Sequence, residues 1–271
     1  MSRSRINWLA APGYIPETWN PVTGCTPVSA GCANCWAKAM AKRFSHLHRQ
    51  RNPFEMVSMH EDRLHVPLHW SKPRMCFVCS MGDLFHADVP EEFIYRVFRI
   101  IRRAETHRFV ILTKRQYRML DYMQERTKNA HRIAGSFHPR NLWLGVSVEN
   151  QRTADERIPT LLRTPAAVRL VSLEPMIGPV ALRLNDEAED EDGCMEDRRH
   201  NLSWVVLGCE SGPRRRPCNL EWVKSVVDQC DAAQVPVFVK QLDLGGKVSH
   251  GMSEWPEWAQ RQQWPKVGGA R

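Results

Sequence analysis

Apolar and polar positions along the chain fall into a repeating pattern: a short run rich in Val, Ile, Leu and Phe, then a longer stretch with helical spacing. The apolar runs are MCFVCSM (75–81), RFVILTK (108–114), LWLGVSVE (142–149), VRLVSLEP (168–175), WVVLGCES (204–211) and VPVFVKQL (235–242), and each reads as a strand. A seventh strand is expected near residues 18–22. Between the runs, PEEFIYRVFRIIRRAE (90–105) places Phe93, Val97, Ile100, Ile101 and Ala104 on one helical face, with Pro90 suited to a first turn. Further helices are expected over 116–129, over 152–163 with an interruption at Pro159, and over 220–234 behind an Asn219 cap. Strand followed by helix, repeated, predicts an α/β fold with parallel strands: a full or partial β/α (TIM-like) barrel in one domain over 1–271. Two segments stand outside the alternation. The acidic, apolar-poor stretch within about 185–200 reads as a surface insertion or flexible loop, and the extension from about 245 to 271 carries Trp255 and Trp258, which could share a helical face and cover the barrel.

No apolar run approaches the ~20 residues of a membrane span, and the N-terminus lacks the apolar region of a secretory signal, so a cytosolic (cytoplasmic) chain without membrane partners is expected. Nine cysteines in such a chain read as ligands, redox groups or small core residues. The net charge of +8 favours contact with polyanions, although a merely basic surface would carry the same charge.

Chemistry concentrates in two patterns. Cys25, Cys32 and Cys35 lie in one loop-like stretch, TWNPVTGCTPVSAGCANCWAKAMAKRF (18–44), whose Gly24, Pro27, Ser29 and Gly31 let a backbone wrap a metal centre. Three thiolates are one short of a closed zinc site, which leaves a fourth ligand elsewhere or an open position. Cys35 opens a helix whose dipole favours thiolate charge, and Trp36, Met40 and Phe44 should bury one stripe of it. Cys76 and Cys79, three apart on a strand, would face opposite sides and read as core or rim thiols.

The second pattern is a strand-end repeat of a small residue, any residue, then Glu. Ser147 with Glu149, Ser172 with Glu174 and Gly208 with Glu210 share a face within each pair, and the three carboxylates would converge where β/α barrels keep their sites. Ser80, Asp83, Lys114, Arg115, Lys240 and Gln241 follow other strands at the same end, and Arg214, Arg215 and Arg216 form a basic run beyond Glu210. No metal-binding His helix, nucleophile elbow or phosphate-binding glycine loop is present, which removes support from hydrolase and kinase readings.

These blocks, together with FVCSMGDLFHADVP (77–90), ILTKR (111–115), NLWLGVSVENQRTADERIP (141–159), RLVSLEPMIGPV (169–180) and WVVLGCESGP (204–213), resemble the phage- and bacterium-associated three-cysteine-motif proteins described as radical-SAM-like. Where that family's block reads Gly-Gly-Glu-Ser, this chain has Gly208-Cys209-Glu210-Ser211. Its cysteine spacing is C-x6-C-x2-C against the usual C-x3-C-x2-C. The resemblance implies a 4Fe-4S cluster on Cys25, Cys32 and Cys35, with S-adenosylmethionine on the remaining iron, cleaved to a 5'-deoxyadenosyl radical by an electron from a reductant such as flavodoxin or ferredoxin. On that picture Glu149, Glu174 and Glu210 are the catalytic candidates, Ser80, Asp83, Ser147 and Ser211 the cofactor contacts, and Lys114, Arg115, Arg214, Lys240 and Gln241 the phosphate or substrate contacts. The division between cofactor and substrate stays open. The basic residues imply a nucleotide or nucleic-acid substrate, as in phage-related base modification or repair. The alternative is a non-catalytic zinc- or iron-sulfur-binding barrel that recognises nucleic acid or a protein partner.

Overall fold

The structure is a computed structural model that describes residues 6–48, 53–131, 139–184, 187–189, 195–197 and 202–266. The chain divides into two compact units, residues 1–145 with 164–167, and residues 146–163 with 168–271.

The first unit contains β1 (Ile15–Trp19), β2 (Val22–Thr23), α1 (Trp36–His48), β3 (Ser58–Met59), β4 (Arg74–Val78), α2 (Glu91–Arg103), β5 (Arg108–Thr113) and α3 (Gln116–His131), and most of β6 (Leu142–Ser147). β1 pairs parallel with β4, and β4 with β5. The periodicity of α2 is read correctly: Phe93, Ile94, Val97, Phe98, Ile100 and Ile101 are buried behind Pro90, which stands just before the first turn. Burying six such side chains removes most of the apolar area of the helix from water, at roughly 1.5–3 kcal/mol each.

The second unit holds α4 (Gln151–Arg163), β7 (Val168–Leu173), β8 (Glu187–Glu189), β9 (Met195–Asp197), β10 (Trp204–Gly208), α5 (Leu220–Ala232), β11 (Val237–Leu244) and β12 (Lys247–Ser249). β7–β10 and β10–β11 are parallel, whereas β12 folds back antiparallel on β11. Among the described residues the strand order is β1-β4-β5-β6-β7-β10-β11-β12, and the fold class is α/β, a partial β/α barrel. Of the candidate helices, α5 starts as expected, with the Asn219 side chain accepting the Glu221 amide at 2.9 Å.

Four expectations change. α4 runs through Pro159 without a break, because Ala154, Ile158 and Leu161 bury its apolar face and offset the ~3 kcal/mol an interior proline costs. The acidic insertion is not all loop: Glu187–Glu189 pairs antiparallel with Met195–Asp197, while Cys194 lies outside the described residues. Trp255 follows one 3-10 turn (Met252–Glu254) and Trp258 lies in a second (Glu257–Ala259), so the two do not share one helical face. The segment after them lies against β11, with the Val239 amide donating to the Arg261 carbonyl at 2.8 Å and Trp264 edge-on to Phe238, so an otherwise open strand edge is covered. Finally, Trp36 is 52% exposed and the buried residue at the start of α1 is Ala37. Met40 is half-buried, and the Phe44 side chain lies outside the described residues.

Candidate functional sites on the cysteine loop and at the strand ends

The cysteine loop begins in a clamp. β2 and β3 pair antiparallel, the Gly24 amide donates to the Met81 carbonyl at 2.9 Å, and the Cys25 amide donates to the Phe54 carbonyl at 3.0 Å. Gly24 has φ +88°, and a Cβ there would lie 2.4 Å from the Met56 carbonyl oxygen, so no other residue fits without moving backbone. Farther along, the Cys32 amide donates to the Ser29 carbonyl at 3.0 Å, the Cys35 amide donates to the Cys32 carbonyl at 3.2 Å, and the Cys35 carbonyl accepts the Ala39 amide in the first turn of α1. Cys35 therefore stands at the positive end of that helix, as its position in the sequence predicts. All three cysteines are free and half-buried.

The turn between β5 and α3 delivers two cations to these thiols. Arg115 places one guanidinium nitrogen 3.4 Å from Cys25 Sγ and 2.9 Å from Asp83 Oδ2, and uses the other on the Thr26 carbonyl and hydroxyl, both at 3.0 Å. Lys114 Nζ lies 3.8 Å from Cys32 Sγ. The two thiols respond differently. Burial raises the Cys25 pKa, reinforced by the Asp83 carboxylate and opposed by Arg115. For Cys32 burial also pushes upward, but the Lys114 charge and hydrogen bonds from Val28 and Ser29 outweigh it and hold the thiol below its ordinary value.

Asp83 is buried, and its carboxylate is occupied: it accepts from the Thr113 hydroxyl at 2.8 and 3.0 Å, from the Phe85 amide at 2.9 Å and from Arg115. Named from the sequence as a cofactor contact, it serves here to orient Arg115. Ser80 likewise turns to Asn20 Oδ1 at 3.2 Å. Lys114 and Arg115, named from the sequence as substrate or phosphate contacts, lie beside the Cys32 and Cys25 sulfurs. The buried His86 accepts the Asp88 amide at Nδ1 (3.1 Å), so a neutral ring carries its proton on Nε2 and donates it to the Thr26 hydroxyl 2.8 Å away. Asn20, Thr26 and His86 were not singled out from the sequence, because polar residues inside apolar blocks give no signal of their own.

In the second unit each of the three strand-end glutamates has its own cation. Glu149, 1% exposed, takes Arg157 at 3.2 Å on both oxygens. Arg157 also donates to the Ser147 carbonyl at 2.6 Å. Glu210, 4% exposed, accepts from Arg216 Nε at 3.0 Å, from its terminal nitrogen at 2.5 Å and from its backbone amide at 2.8 Å. Hydrogen bonding to Glu210 raises the Arg216 pKa, and the Glu149 charge adds to it. Glu174 is held by Lys240, with Gln241 3.5 Å away.

Neighbouring residues of a regular strand point to opposite faces, yet Lys240 and Gln241 both reach Glu174. The reason is a bulge: Leu207 is opposite Val239 and Gly208 is opposite Gln241, so Lys240 is an extra residue that re-aims the strand end. Gln241 is buried and donates to the Cys209 carbonyl at 2.6 Å. The residues named for phosphate, Lys240 and Gln241, are thus turned inward on a carboxylate. Ser211 is half-exposed and Arg214 exposed. Arg157 was missed, although a charge on the helical stripe of Ala154, Ile158 and Leu161 was a legible signal.

The buried thiols behave as structural groups. Cys76 and Cys79 are buried, but β4 stops at Val78 and Cys79 adopts φ +57°, so strand parity does not govern this pair. Burial pushes Cys209 and Cys218 up to about 12, with Asp243 contributing to both.

Among the described residues, no three His, Cys, Asp or Glu side chains are gathered closely enough to hold a single metal ion. The donor set still suits an iron-sulfur cluster: three free thiols on one loop, a helix N-terminus at the third, and a cation beside each of the other two.

Fold and site together define an α/β protein with a thiol-bearing loop and a row of ion-paired strand-end glutamates. The chain belongs to the DUF5131 family of proteins of unknown function, whose pattern matches residues 3–264. No curated protein matches it. Among solved structures it is similar to a spore photoproduct lyase complexed with dinucleoside spore photoproduct, at 9% identity and a TM-score of 0.40. That match covers 69% of this chain, which spans 54% of the length of the lyase. Among the described residues, no helix is long and apolar enough to cross a membrane.

Proposed function

We propose that this chain is an enzyme that holds a 4Fe-4S cluster through Cys25, Cys32 and Cys35 and uses it with S-adenosylmethionine to start radical chemistry on a nucleotide or nucleic-acid substrate. The observation that carries this reading is the meeting of the three-thiol loop with Arg115 and Lys114 from the end of β5. When bound, the cluster supplies the electron that cleaves the sulfonium.

The chain's own residues do the rest. Gly24 lets the loop turn under the Met56 carbonyl, so Cys25 is held from both sides before any ligand arrives. Asp83 and Thr113 fix Arg115, whose charge balances the negative charge of a thiolate-bound cluster. Lys114 keeps Cys32 in its ligating, deprotonated form at lower pH than an ordinary thiol. In the second unit, the paired Glu149, Glu174 and Glu210 supply fixed charges whose cations hold their orientation.

Anaerobic reconstitution followed by iron and sulfide analysis, with release of 5'-deoxyadenosine on reduction by dithionite, tests the proposal. Wild type is expected to bind iron and sulfide and to release the nucleoside, and Cys32→Ala to do neither. One tightly held zinc, no iron after reconstitution and no cleavage would sink it.

A further inference from the structure

α2 buries one side and carries arginine on the other. Phe93, Val97, Ile100 and Ile101 are buried, and after Arg96 the exposed charges of the helix are Arg99, Arg102 and Arg103. Residues three and four apart share a helical face, so these three line one ridge along about 6 Å of helix axis. Arg99 is steadied by Tyr95, its guanidinium carbon lying 6.0 Å from the ring centroid. A second segment adds a fourth arginine. Asn141 Nδ2 donates to the Ile101 and Ala104 carbonyls at 2.9 and 3.1 Å, which lays the chain over the end of α2 and brings the exposed Arg140 there.

The fold accounts for only part of this arrangement. Like charges three and four apart oppose helix formation, and the helix dipole favours cations in the last turn, which covers Arg102 and Arg103 but not Arg99. The carboxylates at the start of the helix serve other cations: Arg126 lies 4.0 Å from Glu91, and Arg96 is bound to Glu61 from outside the helix. Glu105, exposed in the turn after α2, is the acidic residue nearest to the ridge in sequence and offsets one charge of four.

Such a ridge fits a line of phosphates. All four cations are arginines, whose forked N–H groups match phosphate oxygens bidentately, where an ammonium is a point charge. A nucleic-acid strand carries one phosphate per roughly 3.4 Å of axis, so about two meet a ridge of this length. An extended acidic peptide turns a carboxylate to one side only every second residue, roughly 6.6 Å apart, and offers about one. The ridge also stands apart from the thiols. It precedes β5, whose six residues span about 20 Å, whereas Lys114 and Arg115 follow that strand.

We infer that the outer face of α2, together with Arg140, binds the phosphate backbone of a nucleic acid without reading its sequence. This goes beyond the proposed reaction and holds whether or not the cysteine loop carries a cluster.

The test is fluorescence anisotropy of the full, cluster-free chain with labelled single-stranded and duplex oligonucleotides of mixed sequence, over a range of salt concentrations. Replacing Arg99, Arg102 and Arg103 together with Gln should weaken binding at least about ten-fold at low salt. The slope of log affinity against log salt should fall by about 2 for the single strand or about 3 for the duplex. Lys at the same three positions should keep the slope. Replacing Arg183, Lys247 and Lys266 with Gln removes as many exposed charges elsewhere and should change the slope by less than about 1. If the triple Gln variant loses its native melting transition, Arg103→Gln with Arg140→Gln reads the same surface with one change in the helix. No binding by wild type, equal losses from the ridge and the control set, or displacement by polyglutamate as readily as by unlabelled oligonucleotide would overturn the inference. A chain that binds the oligonucleotide through the ridge but takes up no iron refutes the radical reading alone. A chain that takes up iron and cleaves the cofactor but ignores the oligonucleotide refutes this inference alone.

Discussion

At the scale of single residues, charge and burial decide which thiols react. Cys32, with its pKa lowered by Lys114, should be carbamidomethylated by iodoacetamide faster than Cys25 in metal-free protein at neutral pH. Lys114→Gln should remove the difference. Cys76, Cys79, Cys209, Cys218 and Cys230 are buried, with raised pKa values, and should label only after denaturation; peptide mass mapping over a time course reads both results. The same shifts carry a pH dependence. Cys209 and Cys218 have folded pKa values of about 12, above the ordinary thiol value, so folding disfavours their ionisation. Their contribution to stability is present below about pH 9 and is lost as pH rises toward about 12. Urea midpoints should therefore fall over that window, and less so in Cys209→Ala relative to its own neutral value. Burial also makes Glu149 and Arg157 interdependent. Arg157→Leu leaves a carboxylate 1% exposed without its cation and should cost about 3–5 kcal/mol in urea unfolding. Glu149→Gln combined with Arg157→Leu should recover much of that loss.

At the scale of elements, backbone geometry places the side chains. Gly24→Ala should displace the cysteine loop, since φ +88° and a carbonyl oxygen 2.4 Å from the added carbon cannot both be kept. Reduced iron uptake on reconstitution, with α2 and the remaining core still folded by circular dichroism, is the expected outcome. The helix α4 gives the opposite case: Pro159→Ala restores a backbone donor inside a helix that is already formed and should raise stability by about 1–3 kcal/mol in the same urea assay. Much at this level was legible in the chain. The stripe of α2, the Asn219 cap and the apolar runs of the parallel strands follow from local periodicity and capping, which depend on residues within a few positions of each other. The bulge at Lys240 was not legible, because it is a mismatch between β10 and β11, two strands separated by a helix. Trp36 shows the same limit: helical spacing marked it as apolar, but nothing in the spacing says whether another surface will cover it.

At the scale of the whole molecule, cysteine use sets the redox behaviour. The eight described cysteines are free, so dithiothreitol should leave the thermal midpoint of cluster-free protein unchanged in differential scanning fluorimetry. The sequence by itself determined the α/β class, the order of most elements, the thiol loop and the strand-end glutamates, because hydrophobic period, turn residues and motif spacing are local properties of the chain. Only the tertiary structure decided the company those groups keep. It turned Arg115 and Lys114 onto sulfur, gave Arg157, Lys240 and Arg216 to the three glutamates, and left Trp36 and Tyr117 in water. Ion pairing and burial are set by distance in space between residues far apart in the chain, and that distance is fixed by packing rather than by sequence period.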